Sequence, residues 1–139
     1  MQCSVKIERA GVSTTYQDQG RTFVQYLGIV EGGSIDRANS KICNAILQNR
    51  ENESLIEFAY QGPKFSITQG SCKIAITGDI VFKIYKKNNI KISGVSYRSY
   101  FLESGDIVDI VSVSNSVYGY LGFEGGIQLE DYFGSVSAN

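Results

Sequence analysis

The sequence predicts a mainly β fold, a barrel of short strands capped by one amphipathic helix. Three observations point there. Apolar and polar residues alternate over most of the chain, as Val5 and Ile7 do with Lys6 and Glu8. One segment alone has helical spacing. Fifteen glycines interrupt the 139 residues and mark frequent turns. Closing such a sheet on itself removes exposed edges. The length fits one domain, and a hydrophobic fraction of 42% suffices for its core.

Taken in order, residues 3–9 form a half-buried strand, and Leu55 to Tyr60 form a similar one before Gly62-Pro63 breaks the chain. Further strands are expected at Phe65–Thr68, Cys72–Thr77, Ile80–Tyr85, Ile107–Val113 and Val117–Phe123. Gly78-Asp79 and Lys86–Asn89 read as hairpin turns, with Lys86-Lys87 at a solvated tip. Gly105-Asp106 turns the chain into its next strand, and Gly125-Gly126 interrupts the last one. The helix is expected from Ser34 to Asn49, where Ile35, Ala38, Ile42, Cys43, Ala45, Ile46 and Leu47 build an apolar stripe. Ser34 is its expected N-cap, with Asp36 in the first turn, where negative charge is favoured. Arg50 to Glu53 is polar and reads as a loop. The segment Phe133 to Asn139 follows without an expected closing helix or strand, like a chain cut at a boundary.

Composition excludes several function classes. With 13 basic and 14 acidic side chains the net charge is -1, and no electrostatic footprint for nucleic acid or an anionic membrane exists. Histidine is absent, so a Ser-His-Asp triad, a Cys-His pair and an imidazole zinc site are excluded within this chain. Acid–base chemistry falls to Asp, Glu, Lys, Tyr or Cys, or to a partner. Cys3, Cys43 and Cys72 are odd in number and lack C-x-x-C spacing, which argues against a disulfide framework or a metal site. Cys43, on the apolar helix face, and Cys72, opening a strand, read as small buried hydrophobes. The nine tyrosines read as barrel and surface aromatics, none of them catalytic. No apolar stretch fits a signal peptide, and none approaches the ~20 residues of a membrane helix. A soluble, reduced, cytoplasmic protein is expected.

Three polar clusters bear on chemistry. In Thr15 to Arg21, Gln17, Asp18, Gly20 and Arg21 put an amide, a carboxylate, a flexible glycine and a guanidinium together after the first strand. Such a loop holds a small polar or anionic group, because the arginine fork suits a carboxylate or phosphate; alternatively Asp18 and Arg21 pair and pin the loop. Glu31-Gly32-Gly33-Ser34-Ile35-Asp36 leaves backbone N–H groups free at a helix start, either for an anion or as plain helix geometry. It lacks the lysine of a phosphate-binding P-loop. Glu124-Gly125-Gly126 marks a bulge or bend, or a place where a ligand or another backbone comes close.

In order, these residues resemble the carboxyltransferase-like family that contains the C subunit of bacterial ATP-dependent 5-oxoprolinase. The family is also labelled allophanate hydrolase subunit 2. It includes the carboxyltransferase region of urea carboxylase and the antagonist of a sporulation-kinase inhibitor. Thr15 through Arg21 resembles its Thr-x-Gln-Asp-x-Gly-Arg signature. Gly32-Gly33-Ser34-Ile35-Asp36 is similar to its Ser-Gly-x-Met-Asp stretch, with Gly32 for serine and Ile35 for methionine. Cys43-Asn44 and Leu47-Gln48-Asn49 stand in the places of its Ala-Asn pair and Val-Gly-Asn turn. Ile56-Glu57, Gly62-Pro63 and Ala75-Ile76-Thr77-Gly78 resemble its Leu-Glu strand, Gly-Pro turn and Ala-x-Thr-Gly hairpin. Tyr120-Leu121 through Gly125-Gly126-Ile127, and then Gly134-Ser135-Val136-Ser137, resemble its last two motifs. Three departures stand out. Val136 replaces an arginine, Ala138 replaces a threonine, and Glu124 stands where a small residue is usual.

The resemblance implies a cyclophilin-like β-barrel with one amphipathic helix. Family members run to roughly twice this length, so residues 1–139 correspond to the N-terminal half of the domain, with the second half absent. The implied function is a component of an ATP-dependent amidohydrolase or carboxyl-transfer complex acting on a small lactam, amide or urea-like substrate. The alternative is a non-catalytic binding or regulatory module, or a truncated remnant. The implied site is Asp18 and Asp36 for catalysis, with Gln17, Arg21, Gly125 and Gly126 binding substrate and no metal. Expected partners are a B-subunit-like protein and the missing C-terminal half, without nucleic acid or membrane. This chain is expected to bind no cofactor, and ATP to bind elsewhere in the complex.

Overall fold

The computed structural model describes residues 2–11, 28–30, 35–116, 118–129 and 135–138. Along the chain come β1 (Cys3–Arg9), β2 (Ile29–Val30), α1 (Arg37–Ile46), β3 (Leu55–Ala59), β4 (Lys64–Thr77) and β5 (Ile80–Tyr85). They are followed by β6 (Lys91–Ser93), β7 (Ser99–Glu103), β8 (Ile107–Val113), β9 (Tyr118–Phe123), β10 (Ile127–Leu129) and β11 (Ser135–Ala138).

The long strand β4 joins two halves of one curled sheet. Its first half pairs with β1 and β8, as in Phe65 opposite Ile7 and Val108. Its second half pairs with β7 and β9, as in Ile74 opposite Tyr100 and Phe123. Gly70 lies between, with φ +75, and a Cβ there would collide with the carbonyl of Gln2. Only glycine meets both demands. One half runs β10-β11-β1-β4-β8-β5-β6, and the other β2-β3-β9-β4-β7, all antiparallel. The fold is mainly β with one helix, as the sequence predicts, and the sheet curls as a half-barrel. Among the described residues no pairing joins β6 to β10 or β2 to β7.

Strand alternation sorts the side chains into two layers. Ile56 and Phe58 on β3, Ile74 and Ile76 on β4, and Leu121 and Phe123 on β9 enter the main core. There Phe65 and Phe123 lie with ring centroids 5.6 Å apart. The intervening Leu55, Ala75 and Tyr120 face the other way and pack with Cys43 and Leu47 of α1. Gly122 shares that side; a Cβ on it would sit 2.8–3.0 Å from Leu55, Leu47 and Cys43, so the helix rests directly on the strand backbone.

Several expectations change. The helix runs Arg37–Ile46, and Asp36 is itself the N-cap, its carboxylate accepting from the Asn39 N–H, rather than a first-turn residue. Ser34 lies outside the described residues. The expected strands 65–68 and 72–77 are one strand, because the ladder to β1 continues through Gln69 and Gly70. Cys72 is therefore inside a strand rather than at its start. Gly78-Asp79 does turn the chain, but β4 and β5 do not pair, so it is no hairpin. Lys86–Asn89 is one, joining β5 to β6, yet Lys86 folds inward onto the buried Asp106 instead of into solvent. The short strands β6 and β7, mostly exposed or half-buried, escape detection by periodicity. The end is not unpaired: β11 lies between β1 and β10.

Candidate functional site

Glu57 and Tyr120 stand directly opposite each other on β3 and β9. Both project to the helix side and are almost wholly buried. The Tyr120 hydroxyl donates to Glu57 Oε2 at 2.6 Å and accepts the backbone N–H of Asp36 at 2.9 Å. Glu57 Oε2 also accepts the N–H of Ile35 at 3.0 Å. The strand pair thus grips the two residues just ahead of α1. A carboxylate in this place is favoured by the partial positive charge of a helix N-terminus. Burial, and then the bond to Glu57, push the Tyr120 phenol well above its ordinary range, so it stays protonated.

The next layer is built on Asn39. Its N–H and side-chain amide donate to the two Asp36 oxygens at 3.1 and 2.9 Å. Its carbonyl accepts from Thr77 Oγ1 at 2.9 Å, and its Oδ1 accepts from the Tyr97 hydroxyl at 2.6 Å. Tyr97 sits at φ +67 between β6 and β7, an uncommon conformation for a non-glycine residue. Strands β3, β4 and β9 and the β6–β7 loop therefore all meet at the start of α1.

The far end of α1 is tied by amides. Asn49 donates to Phe123 O at 2.9 Å and to Asn44 Oδ1 at 3.2 Å, and accepts the Gly125 N–H at 2.8 Å. Asn44 donates to the carbonyls of Glu51 and Glu53. Gly125 and Gly126 form the β9–β10 turn at φ +84 and +90, and a Cβ on Gly126 would run into the Glu53 carboxylate. Asp36 and the glycine pair are thus at opposite ends of a ten-residue helix, about 15 Å long. Gln17, Asp18 and Arg21 lie outside the described residues, as does the Glu31–Ser34 loop.

Glu57, Tyr120, Asn39 and Tyr97 were not singled out as site residues from the sequence. Glu57 carried a signal: it is the one charge in the otherwise apolar run Leu55–Ala59. All three thiols are free and buried. Cys43 is sealed against the Ala75 carbonyl, and burial pushes it up to about 12. Cys3 and Cys72 neighbour each other in the main core, where that contact and burial push Cys72 up. Among the described residues no group of His, Cys, Asp or Glu could hold a metal ion, and no helix is long and apolar enough to cross a membrane.

The family described as "Carboxyltransferase domain, subdomain A and B" matches residues 27–139. The chain is 28% identical over 136 residues to urea amidolyase of Lachancea kluyveri, covering 97% of this chain and 7% of that protein. It is 26% identical over 125 residues to the 5-oxoprolinase C subunit of Haemophilus influenzae, covering 90% of this chain and 39% of that protein. The crystal structure of K. lactis urea amidolyase superposes with a TM-score of 0.69 at 24% identity, over 96% of this chain and 8% of that one. That likeness is one of fold. The chain spans well under half of each of these relatives, which are parts or assemblies larger than itself. The chain belongs to the carboxyltransferase domain family, subdomains A and B.

Proposed function

We propose that residues 1–139 are the N-terminal half of a carboxyltransferase-like domain. The chain would work, like the 5-oxoprolinase C subunit, as a component of an ATP-dependent amidohydrolase or carboxyl-transfer complex. The substrate class is a small lactam, amide or urea-like molecule. The family match over residues 27–139 carries this reading, supported by the identity to a protein named for 5-oxoprolinase. Arg21 clamps a substrate carboxylate or carboxyphosphate, and Gln17 adds a directional hydrogen bond. Asp18 and Asp36 orient polar groups or move a proton. Each Asp36 oxygen accepts one bond from Asn39 and keeps a lone pair for another donor. Gly125 and Gly126, at the far end of α1 from Asp36, admit close approach of another backbone, or of substrate only away from Asp36. A B-subunit-like partner and the C-terminal half complete the site, in the cytoplasm.

The glycine turns at Gly78, Gly105 and Gly126 lead into strands rather than helices, and none is followed by lysine. None of these makes a phosphate cradle. Nucleotide chemistry is assigned to the rest of the complex because the sequence holds no G-x-x-x-x-G-K motif.

Co-expression with a C-terminal half and a B-subunit-like partner, followed by an assay of ATP-dependent 5-oxoproline cleavage, tests the reading. Arg21→Ala should lower the rate ~10- to 100-fold, as loss of a charged hydrogen bond of about 1.5–3 kcal/mol implies. Turnover that is absent, or equal in variant and wild type, would overturn it. A second reading, a non-catalytic module, draws on the internal use of the candidate groups: Asn39 holds both Asp36 oxygens, and Asn49 takes the Gly125 N–H. A complex that turns over equally well with Arg21→Ala would favour it.

A further inference from the structure

We infer that Cys3 and Cys72 form a peroxide-responsive dithiol, in which Cys3 is oxidised first and then closes a reversible disulfide with Cys72 between β1 and β4. The pair lies away from the start of α1 and needs no part of the activity proposed above.

β1 and β4 are neighbouring antiparallel strands, and their register sets Cys3 opposite Gly70 and Val5 opposite Ile67. Side chains alternate between the faces of a sheet, so Gly70 and Cys72 share a face. Cys3 and Cys72 both enter the main core, with Val5, Ile67 and Ile74. Cys72 is therefore the next side chain beyond Gly70 on the face that Cys3 occupies. Position 70, at φ +75 with the Gln2 carbonyl close by, has room only for glycine. No side chain there separates the two thiols, and a hydrogen bond joins them. Cys43, the third cysteine, lies in the helix-side cluster.

The two thiols differ in access and in charge. Cys3 is the first residue of β1, and with Gln2, Ser4, Gln69, Gly70 and Ser137 it lines an open hollow of about 370 Å³. Such a hollow has room for hydrogen peroxide, a molecule little larger than water. Cys72 sits inside β4, opposite Leu102 of β7. The hydrogen bond from Cys72 outweighs burial and, with the Ala138 backbone, holds the Cys3 thiol below its ordinary value. The same contact, burial and the Asp106 and Glu124 carboxylates push Cys72 up. Cys3 therefore supplies the attacking thiolate, and Cys72 resolves the product.

The Cys3 thiolate attacks one peroxide oxygen and the O–O bond breaks, leaving a sulfenic acid at Cys3 and a hydroxide. The Cys72 sulfur attacks the Cys3 sulfur, the S–O bond breaks, and that oxygen departs as water with the Cys72 proton. The Cys3 proton converts the first hydroxide to water. Two thiols lose two electrons and one peroxide gains them; a thiol reductant reverses the step by exchange. The bond ties the two halves of the sheet together, since Cys3 pairs with Ala138 in one and Cys72 with Leu102 in the other.

The test treats the purified, folded 139-residue chain with hydrogen peroxide. Remaining thiols are capped with N-ethylmaleimide, and unreduced peptides are read by mass spectrometry. A Cys3–Cys72 link should form in at least tenfold the yield of any link to Cys43 and vanish with dithiothreitol. It should raise the melting temperature by about 5 °C or more. In Cys72→Ser, dimedone should trap a sulfenic acid at Cys3; in Cys3→Ser, Cys72 should be trapped at least tenfold more slowly. The wild-type measurement decides alone if either variant fails to fold. No link, or a link to Cys43 in comparable yield, would overturn the proposal. So would a link that leaves the melting temperature unchanged or lower, or trapping at Cys72 as fast as at Cys3.

Discussion

Two buried carboxylates among the described residues, Asp106 and Glu57, tie together different parts of the molecule. Asp106, 0% exposed at the β7–β8 turn, meets the ammonium of Lys86 and the backbone N–H groups of Lys87 and Glu103. Glu57, 1% exposed on β3, accepts the Tyr120 hydroxyl and the Ile35 backbone N–H among its contacts. Burial alone would raise the Asp106 carboxyl; the bond from Lys86 and the two N–H groups outweigh it and hold it below the usual carboxylate range. The first arrangement is a clasp between the β5–β6 hairpin and the β7–β8 turn. The second places a carboxylate among oriented dipoles at a helix start, beside the aspartate proposed to act on substrate.

Breaking the clasp should have the largest effect. Asp106→Asn leaves the Lys86 ammonium without its anion in a largely buried place. The expected loss is about 3–5 kcal/mol, read from urea unfolding midpoints. Its pH dependence follows from the lowered folded-state value. The unfolded aspartate titrates near the ordinary value of about 3.9. Above that pH the clasp contributes in full; as pH falls through the lower folded value the contribution disappears. The stability gap between wild type and Asp106→Asn should therefore close in strong acid and stay constant from pH ~5 upward.

Tyr120→Phe should come next. It deprives the buried Glu57 of one donor and the Asp36 N–H of its acceptor, at a cost of about 1–3 kcal/mol in the same unfolding experiment. The smallest effect is expected from Lys41→Ala. Its pair with Glu51 is exposed on both sides, and such pairs contribute about 0–1 kcal/mol. A Lys41→Ala loss as large as that of Tyr120→Phe would contradict the ranking of buried hydrogen bonds above solvated ion pairs.

Much of the fold was legible, for reasons visible in individual residues. β1 alternates apolar and polar residues, β5 and β8 are short runs rich in Ile and Val, and the bounds of all three match the reading at both ends. β4 did not read as one strand, because Thr68, Gln69 and Gly70 are exposed where it passes between the sheet halves. Its ladder continues there through backbone bonds that leave no side-chain period. β6 and β7 are short edge segments whose pattern is mostly polar or exposed. Helical spacing located α1, but it merged two stripes into one. Cys43 and Leu47 face in while Ala38 and Ile42 face out, and which stripe meets the sheet depends on partners distant in sequence. The site was legible in part. Asp36 is where a first-turn acid was expected, one step earlier as the cap. The Glu57–Tyr120 contact spans 63 positions and exists only because β3 and β9 pair.

The most direct test of the claim that β3 and β9 hold the start of α1 is amide hydrogen exchange at Ile35 and Asp36. In the wild type both amides should be protected, although Ile35 carries an exposed side chain. In Tyr120→Phe the Asp36 amide should exchange at least tenfold faster, while Lys87, bonded to Asp106 at the distant clasp, keeps its rate. Unchanged exchange at Asp36, or equal acceleration at both places, would contradict it.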